Sequence, residues 1–245
     1  MSNGKAPPRR RCDHCGKRYR PATARSRYCS DRCRVYAHRR RAAPVISIVT
    51  GNNADLIRHV CRLYASPGDS IADVTYGNGS FWTKCGGLNI DVIGSDISTV
   101  PDRQYDFRDL PYPDGAFDVA VIDPPYTPTP AGLMSDHWYN GEATIGTGGY
   151  REIRQLYRDG VRECTRVVKP GGFVWVKCQD QVESGLQRWA HVDIFNDAIE
   201  IGLTGRDLFI LHPDGSTPHQ RWRTQHHARK RHSYLWVFQS RNPSQ

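Results

Sequence analysis

The run Val119-Ala120-Val121-Ile122, followed at once by Asp123-Pro124-Pro125-Tyr126, constrains the fold more than any other stretch of this chain. A short, uninterrupted apolar run reads as a buried strand. It delivers a carboxylate, two prolines and an aromatic ring to its carboxyl end, where open α/β sheets bind their ligands. These residues suit one kind of ligand, the exocyclic amine of a nucleobase. That nitrogen is a poor nucleophile because its lone pair is delocalised into the ring. The Asp123 carboxylate and the Pro124 carbonyl, accepting its two N–H bonds, would localise the lone pair and aim it. Pro124 and Pro125 each lack an N–H and fix φ, which holds the loop in one shape. Tyr126 can stack on a base swung out of its helix, as enzymes that act on bases require.

A second segment points the same way. Ile71-Ala72-Asp73-Val74-Thr75-Tyr76-Gly77-Asn78-Gly79-Ser80 reads as a short strand, a tight glycine turn and a helix start at Ser80-Phe81-Trp82. This is the layout of a nucleotide-binding βα turn. Gly77 and Gly79 match the first pair of the dinucleotide fingerprint, but Trp82 stands where its third glycine would be, and there is no Gly-Lys-Ser/Thr phosphate loop. Val92-Ile93-Gly94-Ser95-Asp96 is a second strand ending in an acid, at the spacing expected of a carboxylate on ribose hydroxyls. Asp106 is a third acid. The turn Pro113–Asp118 then leads into the strand before Asp123, and Lys169-Pro170-Gly171-Gly172 opens the strand Phe173–Lys177.

In this order the motifs resemble the S-adenosylmethionine-dependent amino-methyltransferases of DNA, over residues 45–239. The resemblance implies an α/β, Rossmann-like methyltransferase fold, with a mostly parallel seven-stranded sheet closed by a C-terminal antiparallel hairpin. It implies S-adenosylmethionine as methyl donor. Asp73 and the turn Tyr76-Gly77-Asn78-Gly79 would face its methionine part, Asp96 its ribose hydroxyls and Ile97 its adenine face. Asp106 would accept from the adenine amino group, with Phe107 beside it, while Asp123, Pro124, Pro125 and Tyr126 hold the target base. The family usually has Phe where Tyr76 stands. An Asp-Pro-Pro-Tyr start favours adenine N6, with cytosine N4 and an RNA base as alternatives. Cytosine C5 is disfavoured because no Pro-Cys pair occurs. A non-enzymatic nucleic-acid-binding module on a dead scaffold is opposed by the intact Asp73, Gly77, Gly79, Asp96 and Asp123. DNA is thus the expected partner, with RNA as the alternative. Too little chain remains for a large target-recognition domain, which implies short or relaxed sequence specificity.

The amino-terminal segment has a different character. Cys12-x2-Cys15 and Cys29-x3-Cys33 are two close pairs, near the spacing of structural zinc sites. A segment this short and poor in aliphatics cannot fold on a hydrophobic core alone, and Zn²⁺ on four thiolates would supply the missing stabilisation. His14 and His38 are alternative ligands. The stretch Arg27–Arg34 resembles short zinc-ribbon modules, and Asp31–Arg41 reads as a helix capped by Ser30. Residues 1–41 hold 14 Lys/Arg against 2 Asp/Glu, and the rest of the chain 20 against 23. A basic appendage on a nearly neutral domain is the electrostatic footprint of nucleic-acid binding. The boundaries are set at 1–43 for this zinc-ribbon-like module and 44–245 for the catalytic domain.

Cys61, Cys85, Cys164 and Cys178 are scattered, as expected of reduced, packed thiols in a cytoplasmic protein. No run of about 18 apolar residues suggests a membrane span, and the Arg-rich start has no apolar core of a secretory signal. Helices are expected over Asn53–Ala65, over 153–168, and from Leu186 through Trp189 to Ile201, with last strands at Asp207–Leu211 and Ser233–Gln239. The Gly/Pro/Thr-rich residues 127–149, with His137, Trp138 and Tyr139, suit a lid over the target base. Residues 213–232 interleave basic and aromatic side chains, including His219, Arg221, Trp222 and Arg223, as a loop facing phosphates does.

Overall fold

A computed structural model describes residues 9–23, 26–41, 44–126, 149–215 and 225–241, in two compact units, Met1–Val45 and Ile46–Gln245. In the first unit β1 (Arg10–Arg11) pairs antiparallel with β2 (Arg18–Tyr19), and α1 (Asp31–Arg41) follows. Ser30 caps α1 as expected, its Oγ accepting the Cys33 N–H at 3.2 Å. Among the described residues of this unit only Cys12 and Pro21 are buried, so no aliphatic core supports it.

The second unit runs β3 (Ile48–Gly51), α2 (Asn53–Tyr64), β4 (Ser70–Asp73), β5 (Asp91–Gly94), β6 (Phe117–Ile122), α3 (Tyr150–Val167), β7 (Val168–Cys178), β8 (Gln181–Glu183), β9 (Leu186–Arg188), α4 (Ala190–Ile201), β10 (Thr204–Pro213) and β11 (Ser233–Gln239). Its main sheet has the order β3-β10-β11-β7-β6-β4-β5. Every pairing is parallel except those of β11, which is antiparallel to both β7 and β10. This is the expected seven-stranded, mostly parallel Rossmann-like sheet with a closing antiparallel pair.

The apolar runs are buried because both faces of the sheet are covered. Val119 to Ile122, Ile71, Ala72 and Val174 to Val176 are wholly inaccessible. On α3, Ile153, Tyr157, Val161 and Cys164 fall at three- and four-residue spacing and turn inward. Gly160 lets α3 lie close, since a Cβ there would stand 2.5 Å from the Ile122 side chain and 2.7 Å from the Phe107 ring. A capping box starts α2: Asn52 and Asp55 each accept the other's backbone N–H at 3.1 Å. Buried Asp197 ties α4 to α3 by accepting from Arg154 at 2.9 Å and Arg158 at 2.6 Å.

Several elements differ from the sequence reading. The helix start at Ser80 is a single 3-10 turn, Ser80–Trp82. Leu186 belongs to β9 and Trp189 only precedes α4, which begins at Ala190. The hairpin β8–β9 turns at Ser184 (φ 49°) and Gly185 (φ 78°), the pair of positive φ values that a two-residue type I′ turn requires. The edge strand β3 had no sequence signal, and among the described residues no strand follows Asp106 before β6. Of the expected lid over residues 127–149, residues 127–148 lie outside the described residues, as do His219, Arg221, Trp222 and Arg223. No helix among the described residues is long and apolar enough to cross a membrane.

Candidate active site

Strand order reverses between β4 and β6: the chain leaves β4 for β5 on one side and returns to β6 on the other. Ligands of open α/β sheets bind at such a switch point, outside the carboxyl ends of the strands. Three acids gather there. Asp73 ends β4, Asp96 stands just past β5, and Asp123 directly follows β6. Thr75 links the first turn to the third, its Oγ1 accepting the Asp123 N–H at 2.8 Å.

Asp73 is buried, and it accepts from Trp82 Nε1 at 2.7 Å and from the Thr75 N–H at 3.2 Å. Burial pushes its carboxyl up to about 7, because those two hydrogen bonds offset only part of the desolvation and the charges of Asp123 and Asp96 add to it. For Asp96 the balance is reversed. Burial would raise it, but the N–H groups of Ser98, Thr99 and Gly77 hold it below the usual carboxylate range. Its Oδ1 takes Ser98 and Thr99, at 2.9 and 3.0 Å, while Oδ2 takes Gly77 at 3.2 Å.

Asp123 meets two side chains. The Tyr126 hydroxyl donates to its Oδ1 at 2.5 Å, and Lys177 Nζ lies 3.3 Å from Oδ2. Lys177, only 4% exposed, also reaches the Tyr126 hydroxyl, and its ammonium sits 4.8 Å from the Tyr126 ring centroid and 5.8 Å from that of Phe81. The Tyr157 hydroxyl reaches the carbonyls of Pro124 at 3.3 Å and Lys177 at 3.0 Å. A carbonyl has two lone pairs, so Pro124 retains acceptor capacity. Sequence reasoning missed Lys177, Trp82, Thr75 and Tyr157. Lys177 did leave a signal: a lone cation closing the apolar run Phe173–Val176 needs a buried anion, and Asp123 ends the neighbouring strand.

The Tyr76 ring lies across Gly79 and Gly94. A Cβ at Gly79 would approach Tyr76 Oη to 2.6 Å, and one at Gly94 would overlap the ring itself. Gly94→Ala is therefore expected to cost about 1–3 kcal/mol by overpacking, read as a lower melting temperature. Adding Tyr76→Ala should restore part of the loss. A single variant that melts like the wild type would refute this packing.

The remaining expected cofactor residues are placed unevenly. Ile97 is exposed beside Asp96. Asp106 is clasped by Arg108, at 2.9 Å from Nε and 2.6 Å from Nη2, and that guanidinium holds it below the usual carboxylate range. Phe107 leans on α3 at Gly160. The structure thus brings Asp73, the 76–79 turn, Asp96 and Asp123 to Tyr126 to one edge of the sheet, while Asp106 has an internal partner and Phe107 packs toward the core.

In the first unit the Sγ atoms of Cys12, Cys15, Cys29 and Cys33 all lie within 4.8 Å of one another, with Cys15–Cys29 at 3.6 Å and Cys29–Cys33 at 3.5 Å. A zinc tetrahedron with Zn–S bonds of ~2.3 Å has S–S edges of ~3.8 Å, so the set fits that ion. Burial opposes a Cys12 thiolate, yet the N–H groups of Cys15, Cys29 and His14 draw it down to about 6. Contact with Cys33 and Cys15 pushes Cys29 up to about 12, as expected where sulfurs this close compete for negative charge. His14 stacks on Tyr36, with centroids 5.5 Å apart, and is not in the cluster. The His38 side chain lies outside the described residues.

No family model matches the chain, and no curated protein matches it in sequence. Solved structures do resemble it. A SAM-dependent methyltransferase from Methanosarcina mazei is 13% identical, with 75% of this chain and 97% of that chain covered and a TM-score of 0.46. A candidate DNA modification methylase from Thermus thermophilus, complexed with S-adenosyl-L-methionine, is 18% identical over 56% of this chain and 54% of that one, at 0.39. TrmN from Thermus thermophilus is 16% identical over 76% and 48%, at 0.45. The chain spans about half the length of the last two. At such identities and scores none of these likenesses decides a substrate.

Proposed function

We propose that the protein transfers a methyl group from S-adenosylmethionine to the exocyclic amine of a DNA base, adenine N6. The observation that carries this reading is the meeting of Asp123, Pro124 and Tyr126 with buried Asp73 and with Asp96 at one switch point. Three carboxylates end adjacent strands there, and the one cation that contacts them among the described side chains, Lys177, contacts Asp123 alone. A buried carboxylate without a counter-ion favours a positively charged ligand. S-adenosylmethionine supplies a transferable methyl on a cationic sulfonium and carries an ammonium besides.

Asp73 with Tyr76, Gly77, Asn78 and Gly79 would hold the methionine end. Asp96 would accept a ribose hydroxyl at Oδ2, the less occupied of its oxygens, with Ile97 on the adenine face. Asp106 and Phe107 would serve the adenine edge, Asp106 sharing its oxygens with Arg108. Asp123 and the remaining lone pair of Pro124 accept the two N–H bonds of the target amine, with Pro125 fixing the loop. Tyr126 gives up Asp123 to stack on the base. Rate then comes from positioning and exclusion of water, with no covalent intermediate. Cys12, Cys15, Cys29 and Cys33 would hold a structural Zn²⁺, and the basic first unit would add phosphate contacts.

The test is a labelled-cofactor assay on duplex DNA, single-stranded DNA and tRNA, followed by hydrolysis of the product. Label recovered as N6-methyladenine from DNA is expected. Label in tRNA alone would replace DNA by RNA, and N4-methylcytosine would replace the base.

A pH dependence follows from Asp73. Its folded pKa, about 7, lies above the ordinary 3.8, so the folded protein without ligand holds a proton that the unfolded chain lacks in that window. Stability therefore falls as pH rises from 3.8 to about 7. Cofactor binding runs the other way, because the ammonium needs the carboxylate: affinity should rise by up to about tenfold per pH unit below about 7 and then level off. Calorimetry across this range should show that slope, and Asp73→Asn should flatten it. Equal affinities at pH 6 and pH 8 would remove Asp73 from the binding site.

A further inference from the structure

The hairpin β8–β9 hangs from the carboxyl end of β7, one strand away from Asp123, and together with the start of α4 brings apolar side chains to the surface. Leu186 is 58% exposed, Trp189 55% and Val192 44%. Trp189 and Val192 line an open groove of about 420 Å³ together with Tyr150, Gln187, Arg188 and Asp193. The acids around it are engaged: Asp193 by the Tyr150 hydroxyl at 2.6 Å and Arg154 at 3.5 Å, and Glu183 by Arg188 at 2.8 Å. Trp189 holds the N-cap position of α4 without a side-chain cap bond, where Ser, Thr, Asp or Asn would accept an orphan N–H. An exposed indole at a position that favours a small polar residue breaks a local folding rule, and such breaks concentrate at functional sites.

A basic segment approaches Trp189 from the far side of β7. The register Tyr234↔Cys178 sets the segment before β11 at the same edge. That segment, residues 225–232, reads Gln-His-His-Ala-Arg-Lys-Arg-His. It reaches the hairpin through a His227 Nε2 contact with the Gly185 carbonyl at 2.8 Å, and it sets Lys230 Nζ 6.0 Å from the Trp189 ring centroid. Among the described residues neither Arg229 nor Lys230 pairs with a carboxylate. Bases of any identity stack on an aromatic face, and phosphates meet cations that no carboxylate neutralises. Two such cations make an uncharged apolar peptide the poorer fit.

We infer that this groove is a docking platform for an unpaired stretch of DNA beside the target base, with a base stacked on Trp189 and phosphates on Arg229 and Lys230. The inference rests on the proposed action on DNA and adds the surface that grips the strand. It is tested with the full chain, by anisotropy of a labelled DNA single strand of about 16 nucleotides, the upper end of common site sizes. Trp189→Ala is expected to weaken binding about tenfold. Arg229→Ala with Lys230→Ala should flatten the slope of log affinity against log salt by about 1.4. Both variants should melt as the wild type does and bind S-adenosylmethionine equally in calorimetry. Wild-type affinity in Trp189→Ala would overturn the platform and leave methyl transfer standing. A wild-type protein that neither binds nor methylates DNA would overturn both. Tighter binding to RNA of the same sequence, with the same loss in Trp189→Ala, would overturn the assignment to DNA.

Discussion

Asp123→Ala is expected to lower kcat for methyl transfer by about 10²–10³-fold, the loss typical of removing one preorganised hydrogen-bonding group from a transition state. The same substitution strands Lys177, whose side chain is 5% exposed and whose anionic partner is Asp123. Leaving a buried charge without its partner costs about 3 kcal/mol, or roughly 6–12 °C in melting temperature for a unit of this size. The two effects separate in the double variant. Asp123→Ala with Lys177→Met replaces the ion pair by neutral side chains, a change that is often tolerated, so thermal stability should largely return while activity stays low. Turnover at the wild-type rate in either variant would end the assignment of Asp123 to the target amine.

Stripping the proposed Zn²⁺ from the four-cysteine site should unfold the first unit and spare the second. Its described residues contribute only Cys12 and Pro21 to a buried interior, whereas zinc in such sites supplies about 10–16 kcal/mol of apparent binding free energy. Native mass spectrometry should find one zinc per chain, lost on strong chelation or in Cys33→Ser. Circular dichroism should then lose the contribution of the α1 helix, while the main melting transition stays in place, since the second unit has its own core. A metal-free protein with an unchanged spectrum would show that these thiols need no ion.

The centre of the second unit was legible because β4, β6 and the middle of β7 are buried on both faces and therefore read as unbroken apolar runs, with Asp73 and Asp123 closing the first two. Asp73, Asp96 and Asp123 stand at the carboxyl ends of β4, β5 and β6, where the apolar runs stop, Asp73 itself remaining buried. The hairpin β8–β9 was hidden for a specific reason. Leu186 and Trp189 happen to continue the helical spacing of Ala190, Ile194 and Ala198, and three-residue strands are too short to show a period of their own. Trp82 was unreadable because its role, donating to Asp73 from a 3-10 turn, depends on a close return of the chain that propensity does not encode. The edge strand β3 alternates exposed and buried residues over only four positions, too few to separate it from a loop. Asp106 shows a different limit: the neighbouring Arg108 claims both its oxygens, a local competition that spacing cannot reveal.

The reversed direction of β11 has a consequence for how such a protein could change its targets. Because it runs against β7, the connection that enters it and the hairpin that leaves β7 emerge on the same rim as the chemistry, while the strand pairings lie behind them. Either connection can be exchanged for another of different length or charge without moving a single paired residue of the sheet. Target preference in this scaffold should therefore be transplantable, a trait carried by two interchangeable inserts and not by the strands that end in Asp73 and Asp123.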